Sequence, residues 1–456
     1  MKVLFLNTPL RGNKITRDMA GGLGFDATAQ TILPPLDLAL MGATLRKVKH
    51  QVRIIDPEVN SLTNQGAIQE ILDWHPEIVI ASVSLPSLKN DTQFFKELKK
   101  VFKGKIIAKT SINFKPLLKE ILKRSEADFC LVGEVDLEID KIIKGESKRG
   151  IAYLKGEKLI FVPSRLVDNL DLLPMPARGL LKNYSYRYPL LGKNCTIMQT
   201  SRGCPFPCAY YCPYPLVQGK TWREMSPDRV YKELEDIIRK YKINKVLFRD
   251  ATFTLDRKRT TEICQKIIKG KLKFSWWCET RINCLDEELL KIMKKAGCQG
   301  MNIGVETGDP EVMEIQGKPG VSLIQLGNLK KAADRIGIKL HFLLIIGLPE
   351  DSRHSLYLTF KLVKKLKPYS LGVTVITPYP GTPLYEEAKE KGWIETQDWS
   401  QYSGNLPTMH TDNLTSWEMK LAQRLIQGEL FLLEKGLWGK VGLALEDLFF
   451  KIWAKL

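Results

Sequence analysis

Five short apolar runs punctuate the first third of the chain: KVLFLNTP (2–9), QVRIID (51–56), EIVIASVS (77–84), KIIAKT (105–110) and FCLVGE (129–134). Helical patterns such as LDLALMGATLRKV (36–48) and NDTQFFKELKKVF (90–102) separate them. A short apolar run bounded by turn residues reads as a buried strand. A helix between two such runs carries the chain back across the sheet, so the strands must be parallel. The alternation predicts an α/β fold, with a doubly wound, Rossmann-like sheet over residues 1–145. Sheets of this kind bind ligands at the carboxyl ends of their strands. Those ends carry Asn7-Thr8-Pro9, Asp56, Ser82 and Ser84, Thr110-Ser111, and Gly133-Glu134.

Residues 146–194 read as a linker. GIAYLKGEKLIFVP (150–163) predicts a hairpin turning at Gly156, and DLLPMPARGL (171–180) a proline-fixed connection. From 195 to 385 the alternation resumes with six strand candidates: CTIMQTS (195–201), KVLFRD (245–250), FSWWCETR (274–281), MNIGVE (301–306), KLHFLLIIGLP (339–349) and LGVTVITP (371–378). Six β/α units predict a partial (β/α)6 barrel, two units short of closure. Residues 386–456 read as a helical C-terminal region with Trp393, Trp399, Trp417, Trp438 and Trp453. Its last stretch, LWGKVGLALEDLFFKIWAKL (437–456), has an apolar face with lysines on the other side. Two readings stand for it, a helix packed on the barrel or a peripheral helix lying on a membrane surface.

Composition narrows the class. With 44% hydrophobic and 26% charged residues, 456 residues can bury a sizeable core. No run approaches the ~18 apolar residues of a spanning helix. The N-terminus lacks the pattern of an export signal, and nine irregularly spaced cysteines suit a reducing, cytoplasmic setting. A net charge of +18 predicts either a solvated basic surface or an anionic partner, such as a phosphorylated molecule or a membrane.

Barrel-type folds draw their reacting groups from the carboxyl ends of the strands. Here the first strand runs into SRGCPFPCAYYCPYP (201–215), with Cys204, Cys208 and Cys212 inside nine residues. The second ends at Arg249-Asp250, the third at Glu279-Thr280-Arg281 and the fourth in GVETG with Glu306. The fifth and sixth end in GLPED and TPYPGTP, which read equally well as turn chemistry. Glu306 needs a ligand or an ion-pair partner, because an unpaired buried carboxylate is costly. Three thiols and no nearby fourth ligand ask for an iron–sulfur cluster with one open iron; a zinc site completed from afar is the alternative. The remaining cysteines, Cys130, Cys195, Cys264, Cys278, Cys284 and Cys298, read as core or wall residues.

The cysteine triplet, GVETG, GLPED and TPYPGTPLY together resemble the radical S-adenosylmethionine (radical SAM) superfamily. PPLDLALMGATLRKVKHQVRIID (34–56) and CLVGE (130–134) resemble its branch with an N-terminal cobalamin-binding-type domain, which includes anaerobic cyclases and carbon methyltransferases. The resemblance spans residues 1–390. It implies that Cys204, Cys208 and Cys212 hold a [4Fe-4S] cluster whose open iron is chelated by S-adenosylmethionine. It implies that Tyr211 lies near the adenine, that Arg281 and Glu306 bind the carboxylate and ribose, and that Asp250 lies where the amino group is met. In the first domain, Thr8, Ser84, Thr110 and Gly133 become cofactor-contact positions for cobalamin. A small-molecule substrate, lipid-like or phosphorylated, and a reducing donor such as flavodoxin or ferredoxin complete the set, and nucleic acid is not expected.

Two departures from the family pattern qualify this. The common spacing is CxxxCxxC, whereas this chain has C-x3-C-x3-C. The relatives' glycine pair after the fourth strand is replaced by AKTSIN (108–113), where side chains can obstruct a close-approaching ligand. The leading expectation is cobalamin-dependent C-methylation of an unactivated carbon. The alternative is radical cyclisation or rearrangement without methyl transfer, with or without cobalamin. A non-catalytic cofactor-binding protein is a third class, and tRNA or protein methylthiolation is disfavoured by the helical tail.

Overall fold

The computed structural model describes residues 1–10, 15–17, 25–26, 31–316, 321–433 and 436–455; the Trp438 side chain and Leu456 lie outside that description. Contacts group the chain into two compact units, one formed by Met1–Pro205 with Pro213–Arg249, the other by Phe206–Cys212 with Asp250–Leu456.

The first unit is built on a seven-stranded sheet. Its strands are β1 (Lys2–Asn7), β2 (Gln51–Ile55), β3 (Ile78–Ser82), β4 (Lys105–Thr110), β5 (Phe129–Val132), β6 (Ile151–Lys155) and β7 (Lys158–Val162). They lie in the order β2-β1-β3-β4-β5-β6-β7. The first five are parallel, and every residue of β3 is buried, as expected of a strand covered on both faces. The crossover helices include α1 (Leu36–Lys47) and α2 (Leu88–Val101). α2 turns Leu88, Phe94, Phe95 and Leu98 inward and leaves its lysines at the surface. The hairpin read as part of a linker extends the sheet instead: β5, β6 and β7 are antiparallel, with Gly156 at φ +58° in the turn. A hairpin whose strand can pair with an exposed edge gains ladder hydrogen bonds by doing so. The order reverses direction between β1 and β3, which is the switch point where such sheets take ligands.

The later strands are β8 (Cys195–Met198), β9 (Lys245–Phe248), β10 (Ser275–Thr280), β11 (Cys298–Glu306), β12 (Lys339–Ile346) and β13 (Ser370–Val375). They follow one another in sequence order in a six-stranded sheet. The intervening helices begin where the sequence supplies caps. Asp256, Asp286, Ser322 and Ser352 each accept a backbone N–H in the first turn. The helices used below are α3 (Arg353–Leu366), α4 (Pro383–Glu390), α5 (Ser416–Leu433) and α6 (Gly436–Trp453). No helix among the described residues is long and apolar enough to cross a membrane.

Candidate active site

Cys204 follows a small antiparallel ladder between Ser201–Arg202 and Arg223–Glu224. Two buried arginines fix that ladder to the end of β5. Arg223 donates from Nη2 to Glu134 Oε1 at 2.7 Å and from Nη1 to Glu134 Oε2 at 2.9 Å. Arg202 donates to Asp136 Oδ2 at 2.8 Å. Gly203 sits at φ +86°, and a Cβ there would stand 2.0 Å from the Thr221 carbonyl oxygen, so only glycine fits. The chain entering the first thiol is therefore held by charge and by close backbone approach.

Beyond it, Pro207–Tyr210 form a single 3-10 turn, and Cys212 N–H donates to Cys208 O at 3.0 Å. The extra residue in C-x3-C-x3-C is taken up by this helical turn. Among the described residues no three Cys, His, Asp or Glu side chains already stand grouped as a metal site.

The strand ends of the second unit supply what surrounds the loop. Arg281, following β10, directs Nη1 at Cys208 Sγ from 4.0 Å. The ring of Phe206 lies 3.7 Å from the Arg281 guanidinium carbon, a cation–π contact. Arg281 Nη2 and the Tyr211 hydroxyl are buried and make no hydrogen bond with the described residues. Burial holds the Tyr211 phenol well above its usual pKa, and the charges of Glu306, Cys208 and Cys212 push the same way. It stays a protonated donor. Glu306 ends β11 at φ +67°, where the register with β12 slips between Gly304 and Glu306. A non-glycine residue held in that region is strained, and such strain gathers at functional sites. Asp250 is fully buried, and its charge is felt by Cys278 on β10.

Tyr211, Arg281 and Glu306 thus converge on Cys208 and Cys212, while Asp250 lies toward Cys278. Three neighbours were not read from sequence. Phe206 sits inside the quoted stretch, but an aromatic between two prolines carries no signal of what it stacks on. Tyr210 donates to Glu387 of α4, 177 residues away. Asn302 on β11 donates to Glu279 at 3.1 Å and accepts from Trp277 at 2.7 Å. TPYPGTP has a part in the site: Tyr379 feels the Cys212 charge and is pushed to about 12, chiefly by burial, while Thr382 caps α4. GLPED closes on itself, with Asp351 accepting the N–H groups of Gly347 and Leu348.

The strand-end residues of the first unit are placed differently. Thr8 donates to the Asp91 carboxylate, and the Ser84 N–H donates to its other oxygen at 3.1 Å. Arg17 donates to the same carboxylate at 2.6 Å. Thr110 accepts the Ile112 N–H. A Cβ on Gly133, at φ +75°, would meet the Ser164 hydroxyl at 2.5 Å. At the position of the missing glycine pair, Lys109 is buried among Asp37, Asp136, Glu134 and Arg202, and burial lowers its pKa. Among the described residues Thr8, Ser84 and Thr110 thus make internal hydrogen bonds at these strand ends.

The profile of the radical SAM superfamily matches residues 198–391. An uncharacterised methyltransferase of Pyrococcus horikoshii, PH0819, is 32% identical over 393 residues, covering 84% of each chain. The hopanoid C-3 methylase of Methylococcus capsulatus is 28% identical, covering 80% of this chain and 70% of its own. In fold, the cobalamin-dependent S-adenosylmethionine radical enzyme OxsB superposes with a TM-score of 0.73 at 16% identity, over 99% of this chain and 71% of its own. The radical S-adenosylmethionine methyltransferase TsrM of Kitasatospora setae gives 0.67 at 16% identity, over 86% and 76%. With an α/β fold, a three-thiol loop and strand-end residues gathered on it, the chain belongs to the radical SAM superfamily.

Proposed function

We propose that the protein methylates an unactivated carbon of a small-molecule substrate by radical SAM chemistry. One observation carries the reading: a buried guanidinium, stacked on Phe206 and directed at Cys208, keeps an unused N–H beside a protonated tyrosine and a strained glutamate. The donor chemistry fits a [4Fe-4S] cluster on Cys204, Cys208 and Cys212. Such a cluster, when bound, supplies the electron that breaks the sulfonium–C5′ bond of S-adenosylmethionine, releasing methionine and a 5′-deoxyadenosyl radical.

The chain's own residues bind and orient. Arg281 offsets the negative charge that accumulates on the thiolates and presents Nη2 to a carboxylate. Tyr211 offers its hydroxyl and ring to the adenosyl group, and Glu306 accepts from ribose hydroxyls or from the amino group. Asp250, fully buried, supplies a second acceptor for that amino group. Methylation would consume two S-adenosylmethionine molecules and two electrons from a reducing donor: one molecule would leave as methionine and 5′-deoxyadenosine, the latter carrying the hydrogen removed from the substrate, and the other as S-adenosylhomocysteine after giving up its methyl group.

Cobalamin is our proposed methyl carrier, on the strength of the likeness to OxsB and TsrM in fold and of the switch point between β1 and β3. The internal hydrogen bonds of Thr8, Ser84 and Thr110 favour a second reading, radical cyclisation without methyl transfer; the anaerobic magnesium-protoporphyrin IX monomethyl ester cyclase of Cereibacter sphaeroides is 24% identical over 85% of this chain. Anaerobic reconstitution with assay of iron, sulfide and cobalt per chain, followed by product analysis, decides. S-adenosylhomocysteine together with 5′-deoxyadenosine supports methylation. 5′-Deoxyadenosine alone supports the second reading, and neither product removes both.

A further inference from the structure

α6 shows two faces. Phe450 stacks on Phe360 of α3 with ring centroids 5.2 Å apart, and meets Trp453 edge-on at 5.3 Å. Both are buried and seat the helix on α3. The opposite face carries Leu445, Leu448, Phe449 and Ile452, 63%, 55%, 46% and 53% exposed. Their spacing of i, i+3, i+4 and i+7 makes one continuous apolar stripe along about 10 Å of helix. Scattered exposed apolar residues need no explanation, whereas a contiguous stripe marks an interaction surface.

Charge indicates the occupant. The helix's two acids are turned off the stripe: Asp447 pairs with Lys364 of α3 at 3.4 Å, and Glu446 is directed at Gly428 of α5. Exposed Lys451 and Lys455 border the stripe. Trp417, 68% exposed, begins α5, and the adjacent Glu418 shares Arg353 with Trp453, so this tryptophan belongs to the same end. An apolar stripe bordered by lysines, with acids excluded and a tryptophan at its end, is the pattern of a helix lying in a lipid headgroup region. An anionic surface pairs with Lys451 and Lys455. We propose that the outer face of α6 docks the protein peripherally on an anionic lipid bilayer. This is independent of the reaction assigned above.

Co-sedimentation of the full chain with vesicles of phosphatidylcholine and phosphatidylglycerol, or of phosphatidylcholine alone, tests it. The expected result is binding to the anionic vesicles, weakened by high salt. The triple variant L448Q/F449Q/I452Q is expected to lose affinity more than about tenfold, and K451Q/K455Q about 30-fold. Unchanged thermal midpoints and S-adenosylmethionine cleavage in the variants would separate lost docking from lost fold. Three results would overturn the proposal: no binding to anionic vesicles, equal binding by the triple variant, or self-association in sedimentation velocity that the triple variant abolishes while vesicle binding is absent.

Discussion

Tyr210 and Tyr211 are adjacent in sequence but face different neighbours. Tyr211 stands among Glu306, Arg281 and the thiols. Tyr210 donates a hydrogen bond to Glu387, whose carboxyl is held low by that bond and by Lys391. Nothing in the local sequence reveals this tether, because its acceptor is on α4. Tyr210→Phe is expected to slow S-adenosylmethionine cleavage severalfold and broaden the cluster's EPR signal, whereas Tyr211→Phe is expected to raise the apparent KM. Cys212→Ala is expected to abolish 5′-deoxyadenosine formation, and Cys264→Ala to leave it intact, since Cys264 is a fully buried thiol whose pKa is pushed to about 12. Glu306 was legible as a strand-end carboxylate. Its left-handed backbone was not, because φ at a strand end depends on the register of the neighbouring strand.

At the scale of elements, the ladder before Cys204 is the informative case. Arg202 and Arg223 read in sequence as two more basic residues in a chain of net charge +18. In the fold both are buried against Glu134 and Asp136. Removing one partner strands the other's charge in a dry setting. Arg223→Met is expected to cost about 3 kcal/mol in urea unfolding, and to lower the iron bound per chain because the entry to the thiol loop loosens. Gly203→Ala is expected to do the same by a steric route, since its methyl group meets a carbonyl oxygen at 2.0 Å. The helices and central strands were legible because their apolar periods are local. The joining of the 150–162 hairpin to the sheet was not, because edge pairing is decided by which edge is exposed.

For the whole molecule, a pH dependence follows from Asp56 at the end of β2. It is 4% exposed, accepts from Tyr186 at 3.0 Å, and burial raises its pKa from 3.8 to about 6. The folded state holds this proton more tightly than the unfolded chain does. Its contribution is therefore complete below about pH 4 and is lost as pH rises through 6, on the order of 3 kcal/mol. Urea midpoints are expected to fall across that window, and Asp56→Asn to flatten the fall. The alternation of apolar runs and helices determined by itself that the chain is α/β, with two successive parallel-strand regions and a helical end. The three thiols in one short loop, together with GVETG, GLPED and TPYPGTPLY, carried the resemblance to the radical SAM superfamily. Both are legible because strand period, helix period and ligand spacing are written in neighbouring residues. Only the tertiary structure decided that Lys109, Thr8 and Ser84 are enclosed by internal partners. Only it placed Phe206 beneath Arg281 and left one face of α6 outward. Those outcomes rest on residues tens to hundreds of positions apart competing for the same buried space, which no local pattern encodes.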